Sequence, residues 1–218
     1  TTEAPPITAR RWLRVTDAVA VVADLKSSTK LGLNKYAQST ASIYEAALHP
    51  VVDIFDEFGA GWIPIQGDCV IGLFWDDMAI ERAMCAGITI KTFSARHLVE
   101  RLTKKWPENL PPTGFKVGIA TSTVLVKRVG KPQTPHQALV WPGKAVNSAV
   151  KAAQSGDAHE VIVTGSVWDA IQGNDYLTFS CDCATPSPGI WHDHDIEKLD
   201  HDDAERGGRC LTSQWCEV

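Results

Sequence analysis

The segment AVAVVADL, residues 18–25, limits the possible folds more than any other stretch of the chain. It is apolar without alternation, rich in valine, and closed by a carboxylate. A strand with one solvated face alternates polar and apolar residues, whereas a strand buried on both faces reads as a continuous apolar run. The run is also too short for an ordinary buried helix. The run therefore reads as a fully buried central strand that ends in the carboxylate of Asp24.

With 218 residues, the chain can bury such a strand. A chain of this length buries roughly 70% of its unfolded surface and needs no disulfide or metal staple. One domain over residues 15–218 is the natural reading, preceded by an arm at 1–14 that carries two Pro and three Arg. An apolar share of 44% and a charged share of 22% exclude a mainly disordered or coiled-coil chain. The formal charge of −5 argues against a general nucleic-acid grip, which wants a clustered basic face. No apolar run approaches the roughly 18 residues of a membrane span, and the first residues lack the apolar core of a secretory signal. The six cysteines are scattered rather than arranged as a small disulfide scaffold. A cytoplasmic protein with reduced thiols is expected, with no membrane and no nucleic acid among its partners.

Past the central strand, Ser27–Thr29 offer N-cap groups to a helical stretch. Helical spacing runs over 38–58 and stops at Gly59 and Gly61. Residues 62–75 read as two strands joined by a turn at Gln66-Gly67-Asp68. The longest helical pattern spans 78–106. FKVGIATSTVLVKRVG (115–130) reads as a hairpin around Thr121–Thr123, and 138–153 as strand, turn and helix. EVIVTGS (160–166) reads as a strand followed by a helix, 181–209 as a surface excursion, and 209–215 as a last edge strand. This order favours an α+β, antiparallel-rich sheet with helices packed on one face over a doubly wound parallel sheet.

Two carboxylates carry the chemical signal. If the strand ending in Asp24 neighbours the hairpin turned by Asp68, both emerge at one edge of the sheet. Paired carboxylates suit Mg²⁺ or Mn²⁺, which take oxygen ligands, water and phosphates. The backbone over Leu25, Lys26, Ser27, Ser28 and Thr29 leads into a helix and can cradle a phosphate. The plainer alternative makes Asp24 a cap and Asp68 a turn residue. Asn147 and Lys151 lie four apart on a predicted helix and so share a face. An amide and a cation there could orient a ribose and stabilise phosphoryl charge, or simply form a solvated face. Trp62 and Trp141 could stack a base or pack in the core. Cys181-x-Cys183 with His192-x-His194 matches no standard zinc spacing.

ADLKSST, IQGDCVIGLF, FKVGIATSTVLVKRVG and PGKAVNSAVKAA together resemble the class III nucleotidyl cyclase catalytic domain, in order and spacing, over about residues 16–165. The resemblance implies a ferredoxin-like, palm-type fold and two divalent ions, Mn²⁺ or Mg²⁺, on Asp24 and Asp68, with the Leu25 carbonyl as a further ligand. It implies that Asn147 orients the ribose and that the cation at 151 stabilises the transition state. It also implies a homodimer in which the carboxylates of one subunit face the Asn147/Lys151 helix of the other.

Three positions depart from the common pattern. The usual transition-state Arg is Lys151, which supplies charge without a planar fork. Purine cyclases carry polar base readers three residues before the turn glycine and seven before the helix Asn. Here those positions are Pro64 and Val140, and neither side chain can hydrogen-bond a purine edge. Tyr44, on the helix behind the metal loop, could narrow the base pocket. This pattern is similar to the bacterial pyrimidine cyclases of the Pycsar antiphage systems. That similarity implies conversion of UTP, or alternatively CTP, to a 3′,5′-cyclic monophosphate and pyrophosphate, the product signalling to a separate cyclic-nucleotide-binding effector. An adenylate cyclase, or a cyclase-like nucleotide-binding module without catalysis, are the alternatives.

Overall fold

The computed structural model describes residues 11–211 apart from 34, 109, 132–133, 179–188, 198 and 200–206. Its centre is β1 (Leu13–Lys26), which contains the valine-rich run. The run is buried on both faces, as its sequence requires. Val19, Val21, Ala23 and Leu25 enter one core cluster, whereas Ala18, Ala20 and Val22 enter another on the opposite face. Successive strand side chains point to opposite faces, so the two clusters divide the run by parity.

After β1 come the one-turn helix α1 (Ser28–Leu31) and α2 (Ala37–Glu57). The two-residue β2 (Ile65–Gln66) and β3 (Cys69–Phe74) form a hairpin. Next are α3 (Ala79–Phe93), a π-helical turn over Ser94–Leu98, and α4 (Val99–Lys105). Then follow β4 (Gly114–Gly130), β5 (Gln137–Val140), α5 (Lys144–Ser155), β6 (Glu160–Thr164), α6 (Gly165–Ile171) and α7 (Asp175–Thr178). The chain closes with β7 (Trp191–His194) and β8 (Gly208–Leu211). The sheet order is β2-β3-β1-β4-β6-β8-β7, with β5 pairing onto β4. All pairs are antiparallel except β4 with β6. The expected α+β class is borne out.

Several details are corrected. Helices cover both faces of the sheet, not one. Residues of α2 and α3 pack on the cluster of Val19 and Val21, whereas Ala145, Ala149 and Ala153 of α5 pack on that of Ala18 and Ala20. A central strand without a polar face leaves no other solution. The expected hairpin at Thr121–Thr123 is one continuous 17-residue strand. A reversal there would need left-handed backbone, which threonine resists. Instead the Thr121 hydroxyl donates to the Ala18 carbonyl at 3.2 Å, and Ser122 pairs with Ala18 in the ladder. The irregularity lies in the partner strand, at a register shift between Val15 and Ala18. The helix expected over 78–106 is interrupted by the π-helical turn, where the buried Ser94 hydroxyl accepts from the Phe115 N–H at 2.6 Å.

At the ends, Leu13 and Arg14 already pair with Val126 and Leu125, so the described part of the arm is strand. Residues 1–10 lie outside the described residues. The excursion at 181–209 contains β7, which is the sheet edge, while β8 lies inside it. Cys181, Cys183 and most of the expected last strand fall outside the described residues. No described helix is long and apolar enough to cross a membrane.

Candidate active site

Asp24 stands opposite Cys69 on one side and Lys116 on the other. Directly paired residues share a face of the pleat, so all three side chains lie on the α5 face. The β2–β3 turn then brings in Asp68. Gly67 takes φ 66°, the left-handed backbone that glycine adopts without strain. The Leu25 N–H donates to the Asp68 carbonyl at 3.3 Å, which ties the turn to the end of β1.

Asp68 precedes Cys69 in the chain and Asp24 pairs with it across the ladder, so both carboxylates lie near the Cys69 thiol. The Cys69 thiol is pushed up to about 12, chiefly by burial and then by the charges of Asp24 and Asp68, with Lys116 opposing. Both carboxylates therefore act on one sulfur. Lys116 Nζ lies 2.6 Å from Asp24 Oδ2, the side chains being 17% and 26% exposed. That partial burial strengthens the pair relative to bulk water.

These residues fit a divalent ion. The carboxylates are hard oxygen donors of the kind Mg²⁺ and Mn²⁺ take. Asp24 already holds a cation, the Lys116 ammonium. Among the described residues, no group of three or more His, Cys, Asp and Glu is gathered for a metal. A two-carboxylate set must draw its other ligands from backbone, water and phosphate, as Mg²⁺ usually does.

The segment after Asp24 is shaped differently from its expected cradle. Lys26 is ion-paired with Asp157 of the α5–β6 loop. Asp157 is held below the usual carboxylate range by the hydrogen bonds from Lys26 and the Ala158 N–H. Ser27 adopts φ 61° and makes no side-chain cap; its carbonyl accepts from the Lys30 and Leu31 N–H groups at 2.8 and 3.1 Å. A serine in left-handed backbone costs roughly 1–3 kcal/mol, so the surrounding structure enforces this bend. Ser28 and Thr29 form the first turn of α1.

Helix α5 presents the second set of residues. It starts where β4 comes close: Gly143 bridges to Val124, and the Ala145 N–H donates to the Ser122 hydroxyl at 2.8 Å. Ala145, Ser148, Ala149, Ala152 and Ala153 are buried, a stripe of small residues that brings the helix down onto the sheet. Asn147 is exposed and Lys151 half-buried. Lys151 opens onto a cavity beside Asp195 and Glu197, while the cation held by Asp24 is Lys116.

The three residues expected around the base come from separate parts of the chain. Tyr44 of α2 packs at the edge of the α2/α3-face core. Pro64 precedes β2, and its carbonyl accepts from the Ile71 N–H at 3.1 Å. Val140 ends β5 opposite Lys127 and is 41% exposed. Trp62 and Trp141 face each other at 5.5 Å, and Trp75 stacks on Trp141 at 5.3 Å. Trp141 is thereby closed off as a base platform. Reading the sequence alone missed Lys116, Cys69 and Asp157. Lys116 and Cys69 are placed by the register of β4 and β3 against β1, and Asp157 by the α5–β6 loop that meets Lys26.

The fold is that of solved adenylyl and guanylyl cyclase domains. The adenylyl cyclase CyaB from P. aeruginosa superposes with a TM-score of 0.62 at 18% identity, covering 81% of this chain and 92% of that one. The dimeric guanylyl cyclase domain of the RhoGC fusion protein from Blastocladiella emersonii gives 0.63 at 14% identity, covering 94% and 99%. Among named relatives, a uridylate cyclase from Micromonospora echinofusca is 59% identical over 213 residues, 98% of this chain and 70% of that protein. One from Propioniciclava tarda is 49% identical over 209 residues, 95% and 67%. No protein-family model matches the chain. The chain belongs to the uridylate cyclase family.

Proposed function

We propose that this chain cyclises UTP to 3′,5′-cyclic UMP with release of pyrophosphate, as a homodimer with composite sites. The observation that supports the reading is the tie between the Asp68 turn and the end of β1, where the Leu25 N–H donates to the Asp68 carbonyl and Asp24 pairs with Cys69, in a relative of two uridylate cyclases. The ribose 3′-oxygen attacks the α-phosphorus, and the bond to the pyrophosphate oxygen breaks. Asp24 and Asp68, with the Leu25 carbonyl, would hold two divalent ions, which lower the charge barrier between the 3′-oxygen and the phosphate. Lys116 stands beside that position and can meet a triphosphate oxygen. The partner subunit's Asn147 orients the ribose, and the partner subunit's Lys151 stabilises charge on the transferring phosphate.

Pro64 and Val140 leave the base without side-chain hydrogen bonds, so uracil is selected by shape and backbone contacts. Tyr44 sets the limit against a fused purine ring. The product is a signal for a separate cyclic-nucleotide-binding effector in antiphage defence, made in the cytoplasm. The test is incubation of the purified protein with UTP, CTP, ATP or GTP and Mn²⁺, followed by separation of the products. Cyclic UMP as the main product is expected. Equal cyclisation of ATP and UTP, or no cyclic product from any of the four, overturns the reading.

A further inference from the structure

Asn147, Lys151, Gln154 and Ser155 fall at three- and four-residue spacing and form one stripe along α5. At its C-terminal end, Lys151, Gln154 and Ser155 share a cavity of about 450 Å³ with Asp195 and Glu197, which follow β7. The segment bearing these carboxylates is pinned to the fold. Ile196, between them, is 4% exposed and packs with Ala152 of α5, Ile162 of β6 and Cys210 of β8. Gly208 makes room for it: a Cβ there would stand 2.7 Å from Ile196 Cδ1. One residue earlier, His194 Nε2 lies 3.1 Å from the Ser155 hydroxyl. Ile196 and His194 thus hold two exposed carboxylates in register with the end of the α5 stripe.

Resting on the cyclase reading, we propose that Asp195 and Glu197 are positioning residues for Lys151. A guanidinium carries its direction in its own planar fork. An ammonium is a compact charge on a flexible four-carbon stem and must take its direction from its surroundings. Two carboxylates on a shared cavity supply that direction by attraction. They are anionic and do not bind the triphosphate; they act through Lys151. The departure from Arg at 151 and the acidic segment after β7 are then two halves of one device.

The variant Asp195→Asn/Glu197→Gln removes both charges and keeps the side-chain shapes and the Ile196 anchor. NMR relaxation of ¹³C-labelled lysine should show a more mobile Lys151 side chain. Turnover of UTP should fall roughly tenfold or more with KM within about twofold, because the lost orientation matters most in the transition state. In a Lys151→Arg background the same pair should cost less than about twofold, since the fork needs no guide. Unchanged Lys151 mobility, unchanged turnover, or equal losses in the Lys and Arg backgrounds overturns the proposal. If the wild-type protein forms no cyclic nucleotide, the cyclase reading falls by itself, and Lys151 mobility decides the positioning role alone.

Discussion

Lys116 Nζ lies 2.6 Å from Asp24 Oδ2, across the β1–β4 ladder in which the two residues are direct partners. The ammonium occupies one carboxylate that a divalent ion would use. Lys116→Ala should therefore bind Mn²⁺ roughly threefold or more tightly in the absence of nucleotide, since a competing cation is gone. Turnover of UTP should fall about tenfold or more, because the variant lacks a charge placed to meet the triphosphate. Electron paramagnetic resonance of free Mn²⁺ and steady-state kinetics read the two effects. Weaker Mn²⁺ binding by the variant would show that Lys116 does not compete for Asp24.

On the proposed reading, Asp24→Ala and Asp68→Ala should each reduce cyclisation by about 100-fold or more, since each would remove a proposed ion ligand. Stability should change by about 1 kcal/mol or less, the range of a part-exposed ion pair. Mixing an Asp68→Ala subunit with an Asn147→Ala subunit should restore up to about a quarter of wild-type activity, because half the dimers are mixed and each then holds one intact site of two. Parent and mixed rates that are identical would mean that each site is built within one chain.

Gly118 of β4 lets α5 approach the sheet. A Cβ at 118 would stand 2.0 Å from the Ala149 carbonyl oxygen and 2.4 Å from the Ala153 nitrogen, both backbone atoms that cannot swing aside. Gly118→Ala should cost about 1–3 kcal/mol by overpacking. It should also lower turnover, because the Asn147–Lys151 stripe moves with the helix. Urea unfolding and UTP kinetics test both effects. A variant as stable as wild type would mean that α5 is not docked this closely.

The base pocket makes a graded prediction. Pro64→Lys with Val140→Asp supplies purine-type readers without adding room, so UTP turnover should fall and ATP cyclisation should stay slow. Adding Tyr44→Ala should admit ATP, because volume rather than hydrogen bonding was limiting. Efficient ATP cyclisation by the double variant, before Tyr44 is trimmed, would assign the selectivity to hydrogen bonding.

The pH dependence of stability follows from two buried groups, Lys91 and Cys210, and the half-buried Cys69. Lys91 is 0% exposed and pushed down to about 8 from 10.5, chiefly by burial. Between those values the unfolded chain holds a proton that the native chain lacks, so stability rises with pH, by at most about 1.4 kcal/mol per unit. Cys69 and Cys210 are both pushed up to about 12 from 9.0, again chiefly by burial. Above pH 9 the native chain keeps protons that the unfolded chain loses, and stability falls. Denaturant titrations should place a maximum near pH 9. Lys91→Met should abolish the rise below it and leave the fall above it; a persistent rise would assign the effect to another group.

Local residues carried much of this in plain view. The run 18–25 had to be a strand buried on both faces, because an unbroken apolar segment of that length has no solvated side to offer. Gly67-Asp68 had to turn, and Asn147 with Lys151 had to share a helix face, because both statements involve residues a few positions apart. Placement of the second helix layer was misjudged, although the same run demanded it: two buried faces need two covers. The polar Thr121–Thr123 stretch read as a turn because its hydroxyls have no visible partner in the sequence. In the fold they bond to Ala18 and Ala145, at sequence separations of 103 and 23.

The Lys116 partner of Asp24, the Asp157 partner of Lys26 and the carboxylates beside Lys151 left no local trace. A ladder's register is settled by which faces pack and how the turns close, and a one-residue slip would turn Lys116 to the other face. Residue type and short-range spacing thus determined the buried strand, the turn and the two sets of candidate site residues. Which cation faces which carboxylate was decided by strand register and helix docking, because those contacts form only when segments far apart in the chain bury their surfaces together.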